Sequence, residues 1–341
     1  MPPRIQGPQA GRQFRIGVIG AGKQGIAHCL GMTAIPGVTV AGLTDLNSAR
    51  LAAAAAALRL PATACFTDAT EMVTTLGPLD LVSVATTASG QVALGRALLD
   101  AGVLRMIVEK PMGTSVMVGA AFANTCRQLR ARVAVNYSRR WAFDYRTIKA
   151  CVDKGFIGEL KTIMIAIGRG ELGMHGSHYF DLCRYLLASE PRSVFADLRR
   201  PAQPNVRGDE IDDPTGHCLF QFENGSRAYV DFSEDLLRKD PILVLKGTGG
   251  CITVDEVRQV WTLHSRSNRT WDFPFAEPLK AATLVSRLAA EMLSDVAPAA
   301  TPDDGVAALS MMAAAQMSNG SGRSIRFPLS AEDVRLEMRL A

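Results

Sequence analysis

The sequence predicts an α/β protein, with a doubly wound parallel sheet at the N-terminus and then an α+β region built on an open, mostly antiparallel sheet. Three observations carry that expectation. Short, nearly continuous apolar runs alternate with helical stretches from Phe14 to Tyr137, the pattern of a parallel sheet covered on both faces. A glycine-rich turn joins the first run to the first helix. Beyond Arg192 the helices give way to short strands punctuated by turn residues such as Asn224-Gly225, the mark of antiparallel hairpins.

A chain of 341 residues is too long for one ordinary core. Two domains are expected, over residues 13–135 and 136–341, behind a disordered N-terminus at 1–12. In the first, strands are expected at Phe14–Ile19, Val38–Thr44, Ala64–Phe66, Leu81–Thr86, Arg105–Val108 and Val133–Tyr137. The intervening helices are Gln24–Met32, Ser48–Leu58, Ala69–Thr75, Gln91–Ala101 and Ser115–Arg130. In the second, a helix at Ala142–Lys154, a strand at Leu160–Gly168 and a helix at Ser177–Leu187 precede successive antiparallel strands over Arg192–Leu263. Helices at Glu277–Leu293 and Asp303–Met317 lead to a last strand, Ser324–Phe327. A sheet with helices on one face leaves the other needing cover, and a homodimer or homotetramer through that C-terminal sheet supplies it.

Composition narrows the function classes. Apolar residues make up 48% and charged residues 21%, the balance of a folded globular protein. The net charge of +4 is scattered and only 6% of residues are aromatic, which argues against nucleic-acid binding. No apolar run reaches the ~20 residues of a membrane helix, and the N-terminus lacks a signal-peptide core, so no membrane partner is expected. The seven cysteines form no C-x-x-C pair. They read as reduced thiols in a cytoplasmic protein without a metal site.

The run Ile16-Gly17-Val18-Ile19-Gly20-Ala21-Gly22-Lys23-Gln24-Gly25 is strand, G-x-G-x-x-G, helix. Gly20 permits the tight turn, Gly22 lets the backbone approach a pyrophosphate, and Gly25 lets helix and strand pack closely. The helix start, with Lys23 and Gln24 in its first turn, presents N–H groups and partial positive charge to phosphates. Asp45 follows Gly20 by 25 residues, at the end of the second strand. A carboxylate there accepts from the adenine ribose hydroxyls and repels a 2′-phosphate, so a Rossmann site preferring NAD to NADP is expected. Arg50 is placed to reach the same ribose and is the feature that would admit NADP. The competing role for Asp45 is capping the helix that starts near Ser48.

The fifth strand ends in Glu109-Lys110-Pro111. Pro111 cannot continue a ladder, so the chain leaves the sheet at the carboxyl end of a parallel strand, where ligands of such sheets bind. Lys110 there is placed to donate to a substrate hydroxyl and to steady negative charge on its oxygen; a solvated loop lysine is the alternative. Glu109 joins the candidate cofactor contacts.

Taken in order and spacing, G-V-I-G-A-G-x-x-G, Asp45, V-E-K-P-M at 108–112 and H-x-x-D at 178–181 resemble the glucose–fructose oxidoreductase / inositol dehydrogenase / rhizopine-catabolism (Gfo/Idh/MocA) family. Similarity extends through Asn136-Tyr137, Arg139-Arg140, Gly155-Phe156-Ile157-Gly158, Asp212-Asp213, Phe222-Glu223-Asn224-Gly225 and Gly247-Thr248-Gly249-Gly250. The resemblance implies NAD(P)-dependent hydride transfer at a carbinol or carbonyl carbon of a sugar, sugar nucleotide or polyol. It makes Lys110 the contact to substrate and nicotinamide, and His178 the acid/base.

In the helix from Ser177, Tyr179, Leu182, Cys183 and Leu186 form the inward stripe, with His178 and Asp181 on the neighbouring one. A helix N-terminus disfavours imidazolium, which would keep His178 neutral. Asp181 either orients its ring or faces solvent. Where the family often carries an Asp four residues before this histidine, Met174 stands; either the adjacent His175 substitutes or the site works without a third polar group. The family's A-T-P-x-x-x-H loop appears as Ala85 to Gln91 without its proline and histidine, leaving Thr86 and Gln91 as candidate cofactor contacts. Tyr137, Arg140, Trp141 and Arg169 are candidate substrate contacts. Arg139 and Arg140 either bind an anionic group or are surface charges. Two other functions stay open: a non-catalytic dinucleotide sensor of the same fold, and a reductase of a non-sugar carbonyl or imine.

Overall fold

The computed structural model describes residues 12–201, 211–233, 239–267, 269–294 and 296–340. Of residues 1–12, for which disorder is expected, 1–11 lie outside them and Arg12 lies within, its guanidinium 3.0 Å from Asp80. The first sheet contains β1 (Phe14–Ile19), β2 (Val38–Thr44), β3 (Cys65–Phe66), β4 (Leu81–Val84), β5 (Arg105–Val108) and β6 (Arg132–Val135), all parallel, in the order β3-β2-β1-β4-β5-β6. Its crossover helices are α1 (Lys23–Thr33), α2 (Ser48–Leu58), α3 (Ala69–Leu76), α4 (Ala88–Asp100) and α5 (Val116–Gln128). Strand order reverses between β1 and β4, and the crevice outside their carboxyl ends is where this topology binds ligands. The central strands are buried on both faces because apolar residues occupy nearly every position: Leu81, Val82 and Val84 in β4, Met106, Ile107 and Val108 in β5.

The chain then runs through α6 (Phe143–Asp153), β7 (Leu160–Gly168), a π-helical turn (Leu172–Gly176) and α7 (Ser177–Leu187). There follow β8 (Pro191–Arg199), β9 (Thr215–Phe222), β10 (Arg227–Asp231), β11 (Lys239–Gly247), β12 (Gly250–Asp255), β13 (Val260–Ser265) and β14 (Thr270–Pro274), then α8 (Ala281–Leu293), α9 (Pro302–Ser321) and β15 (Ile325–Arg326). The second sheet is ordered β14-β13-β12-β11-β7-β10-β9-β8-β15, antiparallel except where β10 runs parallel to β7. Among the strands, β14 is the one without a counterpart in the sequence expectations. All five of its residues are exposed, so it carries no buried alternation to read.

The last two helices do not simply back the second sheet. Helix α8 lies on α1, so close that a Cβ at Gly31 would stand 2.3 Å from the Ala282 carbonyl oxygen. Helix α9 wedges between α5 and β8, and the hydrophobic core is continuous across both sheets. One face of the second sheet is left open. Phe195, Leu219, Tyr229 and Met164, cross-strand partners on four neighbouring strands, are each at least 36% exposed on it.

Candidate active site

At the carboxyl end of β1 the glycines divide the work as their surroundings require. Gly20 sits at φ +101°, and a Cβ there would stand 2.4 Å from the Ala85 carbonyl oxygen of the next strand's end. A Cβ at Gly25 would stand 1.7 Å from the Gly20 carbonyl oxygen. A Cβ at Gly22, by contrast, would meet nothing within 4 Å. Gly20 and Gly25 are fixed by the protein itself; the space at Gly22 is left for something else. Helix α1 begins there with no side chain capping it and no acidic residue in its first turn, so its partial positive charge faces the crevice. Lys23 and Gln24 are exposed in that turn.

Asp45 is nearly buried beside this turn. Its Oδ2 accepts from the Ala21 N–H at 2.8 Å and its Oδ1 from the Asn47 N–H at 2.8 Å. The cap of α2 is Asn47, whose side chain accepts from the Arg50 N–H at 2.9 Å, so capping is not what Asp45 does. Arg50 lies half exposed with its guanidinium 3.5 Å from Asp45. Leu46, which the sequence reading passed over, is 91% exposed beside Asp45, an apolar surface of the kind an adenine covers. Across the crevice, Gln91 donates from Nε2 to the Thr86 and Pro111 carbonyls at 3.3 and 3.1 Å, tying the β4–α4 loop to the segment after Lys110. The Thr86 hydroxyl and the Gln91 carbonyl oxygen are buried without a partner. Buried polar atoms without partners are uncommon in proteins. With the opening at Gly22 and the uncapped helix, these atoms fit a dinucleotide lying along the sheet edge.

Glu109 faces inward. Its Oε1 pairs with His28 Nε2 at 2.9 Å and accepts from Asn136 Nδ2 at 2.6 Å, while His28 Nδ1 meets the Ser83 hydroxyl at 2.6 Å. Burial works against the Glu109 charge, but the His28 contact, the nearby Lys110 and Asn136 hold its carboxyl below the usual range. Glu109 is thus a buried support beneath Lys110 rather than a lining group. Trp141 is fully buried and donates its indole N–H to Asn136 Oδ1 at 3.1 Å, so its one polar atom serves the same network. His28 carries no signal in sequence, because its partner Glu109 lies 81 positions away, and Asn136 stands out there only through the resemblance.

Lys110, whose peptide bond to Pro111 is cis, donates from Nζ to the main-chain carbonyl of Met174 at 2.7 Å. Met174 lies in the π turn that runs directly into α7, so the contact brings Lys110 onto the segment carrying His178. Gly176 already has helical dihedrals, and the helical run therefore begins near Leu172. His178 sits well inside it. The helix-dipole effect fades after the first turn, so the expected field on His178 is weaker than its place at Ser177–Leu187 suggested. The Tyr137 ring meets the His178 ring edge-on at 6.2 Å between centroids, and the buried Tyr137 hydroxyl has no partner.

Other candidates are committed elsewhere. Asp181 gives both oxygens to Arg140, at 2.8 and 2.7 Å, so it does not orient His178; Arg140 also reaches Asp304 at 3.0 Å. Burial pushes Asp181 up to about 6 even against that guanidinium. Arg139 forks onto Glu256 through two 2.7 Å bonds and donates to the Tyr179 hydroxyl at 2.6 Å. Neither arginine is a surface charge, and neither is arranged to bind an anionic substrate. His175 turns back to accept from the Glu171 N–H at 3.2 Å, on its own turn. Arg169 is exposed. Among the described residues no group of three or more His, Cys, Asp or Glu side chains is arranged to hold a metal ion, and no helix is long and apolar enough to cross a membrane.

Residues 14–137 match the model of an oxidoreductase family with an NAD-binding Rossmann fold, and residues 164–253 match the GFO/IDH/MocA C-terminal domain. The chain is 23% identical over 334 residues to myo-inositol 2-dehydrogenase of Thermotoga maritima, covering 92% of this chain and 98% of that one. It is 28% identical over 235 residues to inositol 2-dehydrogenase 3 of Saccharopolyspora erythraea, covering 64% and 65% of the two. Among solved structures, a levoglucosan dehydrogenase in complex with NADH and levoglucosan superposes with a TM-score of 0.81 at 19% identity, over 93% of this chain and all of that one.

Proposed function

The chain belongs to the Gfo/Idh/MocA family of NAD-binding oxidoreductases, and from that membership we propose that it moves hydride between NAD and a carbinol or carbonyl carbon of a neutral sugar or polyol. The observation that carries the reading is the Lys110–Met174 contact, which joins the sheet's carboxyl edge to the segment bearing His178. The nicotinamide supplies the hydride chemistry when bound. The chain's own groups do the rest. Gly22 and the start of α1 hold the pyrophosphate, and Asp45 the adenine ribose, which favours NAD over NADP. Thr86 and Gln91 flank the bound dinucleotide. Lys110 Nζ donates to the reacting oxygen and steadies charge on it. The His178 imidazole takes the hydroxyl proton in oxidation and returns it in reduction. The Tyr137 hydroxyl offers a further contact to a polyhydroxy substrate. Because Arg139 and Arg140 are committed to Glu256, Asp181 and Asp304, an uncharged ligand suits the site better than a carboxylate or a nucleotide diphosphate.

On this reading residues 13–135 form the cofactor part and 136–341 the substrate and oligomerisation part, with Lys110 and His178 contributed one from each. The test is NAD reduction with a panel of polyols and aldoses. Lys110→Ala and His178→Ala should each lose about 10²- to 10⁴-fold in kcat with NADH binding kept. NADH binding without turnover of any substrate, unchanged by Lys110→Ala, would make the chain a sensor instead.

The row Phe195, Leu219, Tyr229 and Met164 supports a homodimer, or a dimer of dimers, in which a second copy covers the open sheet face. Leu219→Asp should then shift the mass in light scattering to that of a monomer, and an unshifted mass would remove this interface. Seven free cysteines, with the Cys29, Cys126, Cys183 and Cys218 thiols pushed up by burial, support a reducing compartment, the cytoplasm.

A further inference from the structure

We infer that Asp213 is a positioning residue for Lys110, acting through the π turn at Leu172–Gly176; the inference rests on the proposed role of Lys110 at the reacting oxygen. Met174 occupies a position with no carboxylate to offer, yet Lys110 Nζ still finds an acceptor there, the Met174 main-chain oxygen at 2.7 Å. A main-chain acceptor is only as well placed as its turn. This turn is held from the neighbouring loop at three consecutive N–H groups. Leu172 N–H donates to the Pro214 carbonyl at 2.7 Å, and Gly173 and Met174 N–H donate to the two Asp213 oxygens at 2.7 and 2.9 Å. Asp213 is 1% exposed, so water competes little for those bonds. On the turn's other side the Ser177 hydroxyl donates to the Gly173 carbonyl at 2.6 Å.

Gly173 is what lets the carboxylate come so near. A Cβ there would stand 3.1 Å from Asp213 Oδ2 and 2.9 Å from the Leu340 Cβ. Met174 therefore carries an anionic acceptor at its N–H and the Lys110 ammonium at its C=O. The Asp213 carboxylate fixes the turn's orientation and places a negative charge one residue from the ammonium. Loosening it leaves the lysine in the chain but lets its acceptor wander, and misplacement by about 1 Å can cost on the order of 10²-fold in rate.

The experiment compares wild type, Asp213→Asn and Lys110→Ala by three readouts on the same samples: kcat for NAD reduction with myo-inositol or the best substrate of the panel, Kd for NADH, and the rate of acetylation of Lys110 by acetic anhydride, followed by mass spectrometry with Lys154 as internal reference. Asp213→Asn should lower kcat about 10- to 100-fold, leave the NADH Kd unchanged, and speed Lys110 acetylation at least about fivefold relative to Lys154. Should Asp213→Asn not yield a folded, NADH-binding protein, Asp213→Glu, which keeps the charge and moves it by one methylene, takes its place with the same expected signs. A folded variant of either kind with wild-type kcat and wild-type Lys110 labelling would overturn the inference and leave Asp213 a helix cap. Wild-type turnover in Lys110→Ala would instead defeat the functional reading, and the labelling ratio would still report whether Asp213 holds the lysine.

Discussion

Replacing Gly22 by Ala separates cofactor binding from folding more cleanly than any other single change in the glycine turn. Gly22 has φ −76° and ψ −173°, extended backbone that any residue adopts. A Cβ there would meet nothing within 4 Å. Two small terms act on the fold in opposite directions. Ala restricts the unfolded chain and stabilises by about 0.4–1 kcal/mol, while Ala is a poorer N-cap than Gly by about 1 kcal/mol. They nearly cancel, so the melting temperature should stay within about 2 °C of wild type. The cofactor meets a different situation. The added methyl stands where the pyrophosphate must approach the backbone, and overpacking of that kind costs about 1–3 kcal/mol, a rise of about 5- to 150-fold in the NADH Kd. NADH fluorescence titration and a thermal melt on the same sample read both quantities. An unchanged Kd at an unchanged melting temperature would show that the opening at Gly22 is not the phosphate site. Gly25→Ala supplies the contrast. Its Cβ would lie 1.7 Å from the Gly20 carbonyl oxygen, so that variant must fail by losing the fold.

Arg140→Ala leaves the buried Asp181 without its counterion and should cost about 3–5 kcal/mol at pH 8. Asp181 already titrates at about 6, above its ordinary 3.8, so it contributes stability at low pH that is lost as pH rises through about 6; the variant's deficit in urea unfolding should be smaller at pH 5, and equal deficits at both pH values would count against the ion pair. Glu256 shifts the other way. Burial opposes its charge, but Arg139, Tyr145 and Tyr179 hold it below 4.5, so its contribution is present above that pH and lost as pH falls further. Glu256→Gln should flatten the fall of melting temperature below pH 4.5, and an unaltered slope would place the acid sensitivity elsewhere. Asp45→Ala should weaken NADH binding and move the NADPH-to-NADH preference about 10- to 100-fold toward NADPH, because it removes a like charge and releases Arg50; dissociation constants for both cofactors decide it, with an unmoved ratio contradicting the ribose role.

The alternation of apolar runs and helices, the turn from Gly20 to Gly25 and the departure of the chain at Pro111 are local signals. The elements they mark could be read in sequence because periodicity and turn chemistry act over a few residues, whereas the fully exposed β14 offers neither signal. The two-stage architecture and the family followed from their order. What the side chains do was decided by contacts between distant segments. Arg140 meets Asp181 across 41 positions and Arg139 meets Glu256 across 117. Those pairings turned candidate substrate contacts into buried ion pairs, since a charge taken from water must find its partner inside. His28 reaches Glu109 across 81 positions, and Asp213 reaches back 39 to grip Met174. No pattern along the chain encodes such encounters. Only the folded backbone brings the groups within hydrogen-bond range, and burial then leaves them no other partner.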